Sequence, residues 1–244
     1  IVGTPPADVK RIQQIWKVDQ RNYGNISTDT YFAPRVVPID TSAKLFKVRS
    51  AITGHGQEGE FIARNHFRNG NNGARVFNRL VWKSCPNNPV YPQGGTWIYD
   101  RAGWCPGMAT DIAEYDISTY VNGDSVLLDY GMSAATGDSR YIVNNQLVSY
   151  SNPNFTNDAR ITEVIRPTNA TEYGRRNPTC YNPIIRIQNT GSALLTSADL
   201  EIQINGNAPI TYSWTGSIGF MEDATVLIPV TQAFWTTANP GTNT

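Results

Sequence analysis

Apolar and polar residues alternate along most of this 244-residue chain, and almost no segment keeps a helical period for three turns. Because neighbouring side chains of a strand point to opposite faces, this alternation indicates half-buried β-strands. An Asn-Gly pair at 122–123, like those at 69–70 and 72–73, supplies the positive φ of a tight hairpin. The sequence therefore predicts an all-β fold that begins with a two-sheet antiparallel sandwich. Its candidate strands are residues 9–18, 43–53, 59–67, 74–82, 113–118, 125–130 and 141–150.

The texture changes after a polar stretch at residues 151–158, which we interpret as a linker. The shorter strands predicted beyond it have the spacing of a small immunoglobulin-like sandwich, and residues 184–206 resemble cell-adhesion-related repeats of secreted bacterial enzymes. We therefore expect a larger sandwich over residues 1–152 and an immunoglobulin-like β-sandwich over 159–236, both parts of a longer parent. The shorter strands are predicted at 161–166, 183–189, 199–205, 210–214 and 224–230.

The charge balance bears on the partners of the chain. Twenty Lys and Arg residues match twenty Asp and Glu residues, so no long-range attraction to nucleic acid or to an anionic membrane is expected. No apolar run is long enough to cross a bilayer. Only 16% of the residues are charged while Asn, Thr, Ser and Gly abound, which is typical of secreted β proteins. We expect a secreted or extracytoplasmic protein.

The three cysteines allow one disulfide and leave one thiol over. Cys85 and Cys105 are the favoured pair, because both lie in loops rich in Pro, Gly and Asn and their ring would stabilise the fold by roughly 3 kcal/mol. Three buried free thiols in a cytosolic protein are the alternative. Cys180 has no assigned role.

The segment DRAGWCPGMA, residues 100–109, combines chemistry and turn residues too densely for an ordinary strand or helix. Arg101 offers a planar fork suited to oxygen-rich ligands, Trp104 offers a flat apolar face, and Cys105 can tether the loop. The segment therefore indicates a binding site or its frame.

A second candidate lies on the strand predicted at residues 59–67. Phe61, Ala63 and Phe67 would share one face with Asn65, and the opposite face would carry Glu60, Ile62, Arg64 and His66. A carboxylate, a guanidinium and an imidazole on one face can order a network around a polar ligand. The alternative is a solvated face with a modest Glu-Arg pair.

The two histidines raise the question of a metal. His55 and His66 flank Glu58 and Glu60, and imidazoles with carboxylates bind zinc, copper or iron. The chain has neither an HxH pair nor an HExxH helix, and nothing brings Met108 to His55 for copper. We expect no metal, with His55 shaping a loop.

Three matches in order carry a family resemblance. Residues 52–56 (ITGHG) match an Ile-Ser-Gly-x-Gly loop, Glu60 with Arg64-Asn-His66 matches a Glu-x-x-x-Arg-x-His strand, and Cys85 with residues 100–109 matches a disulfide loop. On these residues the first 150 residues resemble the C-terminal jelly-roll domain of the peptide-N-glycosidase F family, bacterial amidases that remove whole N-glycans. The resemblance implies an antiparallel jelly roll and an N-glycoprotein substrate, with no cofactor.

In that family the active site lies between two jelly rolls, and the main catalytic Asp belongs to the N-terminal one. The resemblance implies that Glu60 and Arg101 are catalytic here, and that the parent's N-terminal jelly roll is their partner. It implies substrate contacts for Asp100, Trp104, His55 and Arg64. Two departures stand out: His55 occupies the position of a Trp, and the cysteines that flank the family's Glu are absent.

Two other functions stay open. Such sandwiches also serve as non-catalytic modules that bind carbohydrate or surfaces. The same fold superfamily includes copper-dependent monooxygenases, whose HxH pattern this chain lacks.

Overall fold

The computed structural model describes residues 3–69, 75–86, 88, 93–135, 138–170, 173 and 182–235. Two compact units divide the chain: one is Ala7–Asn152, and the other combines Ile1–Pro6 with Pro153–Thr244. Antiparallel sheets dominate both units, so the predicted all-β class is confirmed. The type of module assigned to each predicted domain stays a prediction.

Strands of the larger unit form two four-stranded sheets, in the orders β1-β8-β3-β6 and β2-β7-β4-β5. Short helical segments connect some of them, namely α1 (Tyr23–Ser27), α2 (Gln57–Glu60) and a 3-10 turn (Ser118–Tyr120). The strands are β1 (Ala7–Asn22), β2 (Arg35–Pro38), β3 (Leu45–His55), β4 (Arg64–Asn69), β5 (Arg75–Val81), β6 (Ile112–Asp116), β7 (Ser125–Met132) and β8 (Arg140–Pro153).

The longest pairing joins β3 to β8, from Leu45 opposite Tyr150 to His55 opposite Arg140. Alternate side chains of both strands are buried, as the sequence pattern predicts. The apolar ones among them join the hydrophobic cluster of this unit, which also contains Trp16, Phe32 and Tyr130. This paired core fixes the end of β3, where the chain turns toward the candidate site.

The strand predicted at residues 59–67 is wrong. The chain turns at Gly56, where φ is +73°, forms α2 and enters β4 only at Arg64. Glu60 therefore does not share a strand face with Arg64 and His66. The predicted core face is also wrong, because His66 and Arg68 are the buried residues of β4.

One strand was not predicted. Residues 35–38 form β2, which pairs with β7 from Arg35 opposite Leu128 to Pro38 opposite Ser125. Four residues that end in Pro give too little alternation to indicate a strand.

Strands of the smaller unit form sheets in the orders β13-β10-β9 and β11-β12. Ile187, Trp214 and Ile228 belong to its hydrophobic cluster. The predicted linker is ordered: β8 runs to Pro153, and the carbonyls of Phe155, Thr156 and Asp158 accept hydrogen bonds from residues 190–193. The elements are β9 (Ala159–Arg166), β10 (Ile184–Asn189), β11 (Leu195–Ile202), β12 (Ile210–Ile218), β13 (Asp223–Leu227) and α3 (Gln232–Trp235).

Cys180 and residues 70–74, with most of two predicted Asn-Gly turns, lie outside the described residues. Within the part of the chain that is described, the structure contains no helix of the length and apolarity needed to span a membrane.

Candidate functional site

A buried ion pair lies at the centre of the candidate site. Arg101 is 3% exposed, and its Nε donates to Glu60 Oε1 over 2.5 Å. Backbone bonds hold both partners, because Arg101 forms an isolated bridge with Lys83, and the Ala102 N–H donates to the Glu60 carbonyl. The Glu60 side chain is 20% exposed, so its carboxylate borders solvent while the guanidinium does not.

Every N–H donor of the Arg101 guanidinium has a protein acceptor. Nη2 donates to the Thr96 carbonyl at 2.8 Å and to Thr96 Oγ1 at 2.9 Å, and Nη1 faces the carbonyls of Trp97 at 3.5 Å and Tyr99 at 3.4 Å. With the bond to Glu60, these acceptors match the five N–H groups of a guanidinium. A ligand oxygen could bind Arg101 only by replacing one of them.

Aromatic rings cover the ion pair. The Phe61 and Trp104 rings each lie 5.2 Å from the Arg101 guanidinium carbon, close enough for cation–π attraction. Tyr99 meets Phe61 edge to face, with ring centroids 6.4 Å apart, and is 56% exposed. The ion pair therefore lies beneath an aromatic surface that continues to solvent.

His55 extends this surface from the end of β3. Its ring stacks on Trp104 at 5.6 Å, and its Nε2 bonds Thr53 Oγ1 at 2.9 Å. Trp104 in turn donates from Nε1 to the Gly54 carbonyl. Burial lowers the pKa of His55; the Glu60 charge opposes this shift, and the Arg140 charge adds to it. The imidazole is therefore neutral at pH 7 and can donate or accept a hydrogen bond.

Two other predicted residues hold the backbone around this cluster. Asp100 accepts a hydrogen bond from the Cys85 N–H through Oδ1, at 3.0 Å. Arg64 donates to the Glu58 carbonyl at 2.6 Å and so ties β4 to α2. The structure thus brings His55, Glu60, Arg101 and Trp104 together, and it places Asp100 and Arg64 as supports of their loops.

A disulfide closes the loop that carries the site. Cys85 and Cys105, the pair favoured from the sequence, are joined by a bond that is shielded from solvent. The ring includes Thr96, Asp100, Arg101 and Trp104, so the bond limits the movement of the residues around Glu60.

Removing this disulfide should destabilise the larger unit. We expect the double substitution Cys85→Ser and Cys105→Ser to lower the free energy of unfolding by about 3 kcal/mol. The two cysteines are 20 residues apart, and without the bond the unfolded chain gains the conformational freedom of that loop. Urea unfolding with and without reductant measures the loss. Reductant should lower the free energy of unfolding of the original protein and leave that of the double variant unchanged. Equal free energies of unfolding for the two proteins without reductant would contradict the prediction.

The two histidines lie in different environments. His55 is half-buried beside Trp104, whereas His66 is 1% exposed and bonds Tyr130 through Nδ1. Among the residues described, no three His, Cys, Asp or Glu side chains are grouped so as to hold a metal ion.

The sequence did not single out Thr96 or Tyr99, and it assigned Phe61 to the core. The sequence signals for these residues are weak. Thr96 and Tyr99 lie between the cysteines predicted to pair, and Phe61 directly follows Glu60. Their contacts with Arg101 arise only when the disulfide loop folds against α2.

Comparisons with known proteins point to one family. Residues 22–161 match the family model described as peptide-N-glycosidase F, C terminal. Peptide-N(4)-(N-acetyl-beta-D-glucosaminyl)asparagine amidase F of Elizabethkingia miricola is 26% identical over 171 residues, which cover 62% of this chain and 48% of that protein. The chain thus spans about half the length of this curated relative.

Solved structures give the same relatives. A crystal structure of peptide-N(4)-(N-acetyl-beta-D-glucosaminyl)asparagine amidase is 26% identical, with a TM-score of 0.49, and is matched over 62% of this chain and 55% of its own. PNGase F, a glycosylasparaginase from Flavobacterium meningosepticum, is 25% identical with the same TM-score and coverage.

Proposed function

This chain belongs to the peptide-N-glycosidase F family, and we propose that it supplies one wall of the active site of an amidase that releases N-glycans from asparagine. The observation that carries the proposal is a partly exposed Glu60 carboxylate fixed by the buried Arg101 beside Trp104 and His55. A carboxylate held in place before the ligand arrives is suited to orienting a polar substrate.

Glu60 is the group that we propose to contact the substrate. Its Oε1 accepts from Arg101, and the exposed part of the carboxylate can accept a hydrogen bond from a sugar hydroxyl or a water. Arg101 holds this carboxylate, because its own donors are engaged by Thr96, Trp97 and Tyr99. Trp104 has His55 stacked on it and Arg101 over its ring, so the part of the aromatic surface that reaches solvent, where Tyr99 is 56% exposed, offers the surface for a sugar ring.

The reaction is hydrolysis of the glycosylasparagine amide. Water adds to the amide carbonyl carbon, the C–N bond breaks, and the products are an aspartate residue and a glycosylamine, which a second water then hydrolyses to the free sugar and ammonia. We assign the carboxylate that activates this water to an N-terminal jelly roll of the parent, as the family resemblance implies. Binding energy for the sugar would come from this chain, and no cofactor is required.

We also propose an extracytoplasmic location and an N-glycoprotein substrate. The Cys85–Cys105 disulfide supports the location, because structural disulfides persist mainly in oxidising compartments. The binding module and the copper monooxygenase are not better supported by the comparisons.

The test is release of glycan from a denatured N-glycoprotein by the full-length parent. We expect Glu60→Gln to lower kcat/KM about 10- to 100-fold, because a hydrogen bond to a charged acceptor contributes about 1.5–3 kcal/mol. Glu114→Gln is the matched control, since Glu114 pairs instead with Lys47 and Arg49. Undiminished release by the double variant Glu60→Ala and Arg101→Ala would overturn the site. Glycan binding without release by the unaltered parent would favour the binding module.

A further inference from the structure

Thr96 supplies two of the five acceptors around the Arg101 guanidinium, one from its backbone and one from its side chain. Three of the five acceptors are backbone carbonyls, of Thr96, Trp97 and Tyr99, which any residue could supply. The two side-chain acceptors are the Glu60 carboxylate and the Thr96 hydroxyl. Among the described residues, Thr96 is thus the one outside the ion pair whose side chain hydrogen-bonds Arg101.

Through Arg101, the Thr96 hydroxyl acts on the orientation of the Glu60 carboxylate. A guanidinium is planar and rigid, so fixing Nη2 also fixes the direction of the Nε–H. Thr96 binds Nη2 through both its carbonyl and its hydroxyl, and the Nε–H points at Glu60 Oε1. Loss of the hydroxyl would leave one N–H of a buried cation without its acceptor, and the plane would then turn to recover a hydrogen bond.

We infer that Thr96 is a positioning residue, whose hydroxyl orients Arg101 and through it the Glu60 carboxylate. The kinetic part of this inference rests on the proposed function, and the structural part does not. Thr96 itself is exposed at the turn between the two cysteines, so its side chain can be changed without opening the core.

The Arg101 Nε–H provides a direct readout in the chain itself. Its ¹H–¹⁵N NMR signal is assigned by its disappearance in Arg101→Lys, and its exchange rate with solvent reports the bond to Glu60. We expect Thr96→Val, which has the same shape without the hydroxyl, to speed this exchange about tenfold, equivalent to the loss of about one charged hydrogen bond. Thr96→Ser should restore slow exchange.

The kinetic readout uses the full-length parent with a glycopeptide substrate. We expect Thr96→Val to lower kcat/KM about tenfold, because the displaced Glu60 carboxylate loses its contact with the substrate while the aromatic surface is unchanged. Thr96→Ser should recover the activity. Thr110→Val is the matched control, an exposed threonine outside the disulfide ring, and should match the unaltered protein in both readouts.

Each result decides the inference. Slow Nε–H exchange in Thr96→Val would overturn it, and so would equal losses in Thr96→Val and Thr96→Ser, which would indicate loop packing rather than the hydroxyl. Thr96→Ala serves as the second variant if Thr96→Val fails to fold. An inactive parent would refute the proposed function, while the NMR result would still decide the role of Thr96.

Discussion

Lowering the pH from 7.5 to 5 should destabilise the larger unit by about 2 kcal/mol through the buried imidazole of His66. His66 is 1% exposed, bonds Tyr130 at 2.7 Å, and contacts the Tyr141 ring edge to face. Burial, together with the charges of Arg68, Arg64 and Arg79, lowers the pKa of His66 to about 3. The folded unit therefore keeps this ring neutral.

The direction follows from the protons bound in each state. In the unfolded chain the imidazole has an ordinary pKa of about 6.5, so it takes up a proton as the pH falls below that value. The folded unit does not take up this proton until near pH 3. The stability from neutral His66 is complete above pH 6.5 and is lost progressively between pH 6.5 and 3, because the unfolded state binds more protons in that range.

Urea unfolding at pH 7.5, 6 and 5, followed by the NMR signals of β7 and β8, measures this loss in the larger unit. His66→Phe should flatten the dependence on pH, even if loss of the Tyr130 hydrogen bond lowers its stability at every pH. His55→Gln is the matched control at the other, less buried histidine, and should keep most of the slope. A steep slope that persists in His66→Phe would contradict the prediction.

The buried polar face of β4 shows where sequence reasoning ends. Alternation predicted β3 and β8 well, because most of their inward residues are apolar. On β4 the inward positions carry His66 and Arg68, which depend on partners from distant strands: Tyr130 for His66, and Ser50 and Asn145 for Arg68. A polar residue that finds its partner in another strand has the same appearance in a sequence as a solvated one.

The candidate site likewise contains residues that the sequence identified and residues that it did not. The residues of DRAGWCPGMA pointed to Arg101 and Trp104, because their density of turn residues and chemistry is local. The place of Glu60 was wrong, since its apolar neighbours Phe61 and Ile62 imitate a strand. Gly59 packs so closely on Arg140 that a Cβ there would lie 2.7 Å from the Arg140 nitrogen, and this long-range fit holds α2. The contact of Thr96 with Arg101 exists only in the folded disulfide loop, so the sequence alone did not reveal it.

Gly103→Ala should destabilise the larger unit by more than about 3 kcal/mol and disorder the site. Gly103 lies between Arg101 and Trp104 with φ at +79°, a conformation that side chains rarely adopt. A Cβ there would also lie 2.1 Å from the Ile52 carbonyl oxygen, which belongs to β3 and is fixed by its pairing with β8. Since a backbone atom of a paired strand cannot withdraw cheaply, the loop would have to move, carrying Arg101 away from Glu60.

Gly123→Ala separates the cost of the positive φ from the cost of the close contact with β3. Its φ of +62° imposes a similar conformational cost, but no atom lies within 4 Å of the added Cβ, so we expect a loss of only about 1–2 kcal/mol. Urea unfolding of both variants gives the difference, and the Arg101 Nε–H signal reports whether the ion pair survives. If the two alanines cost the same, the close approach of Gly103 to β3 contributes nothing. A greater loss for Gly103→Ala, together with a lost Nε–H signal, would show that contact with β3 positions the ion pair.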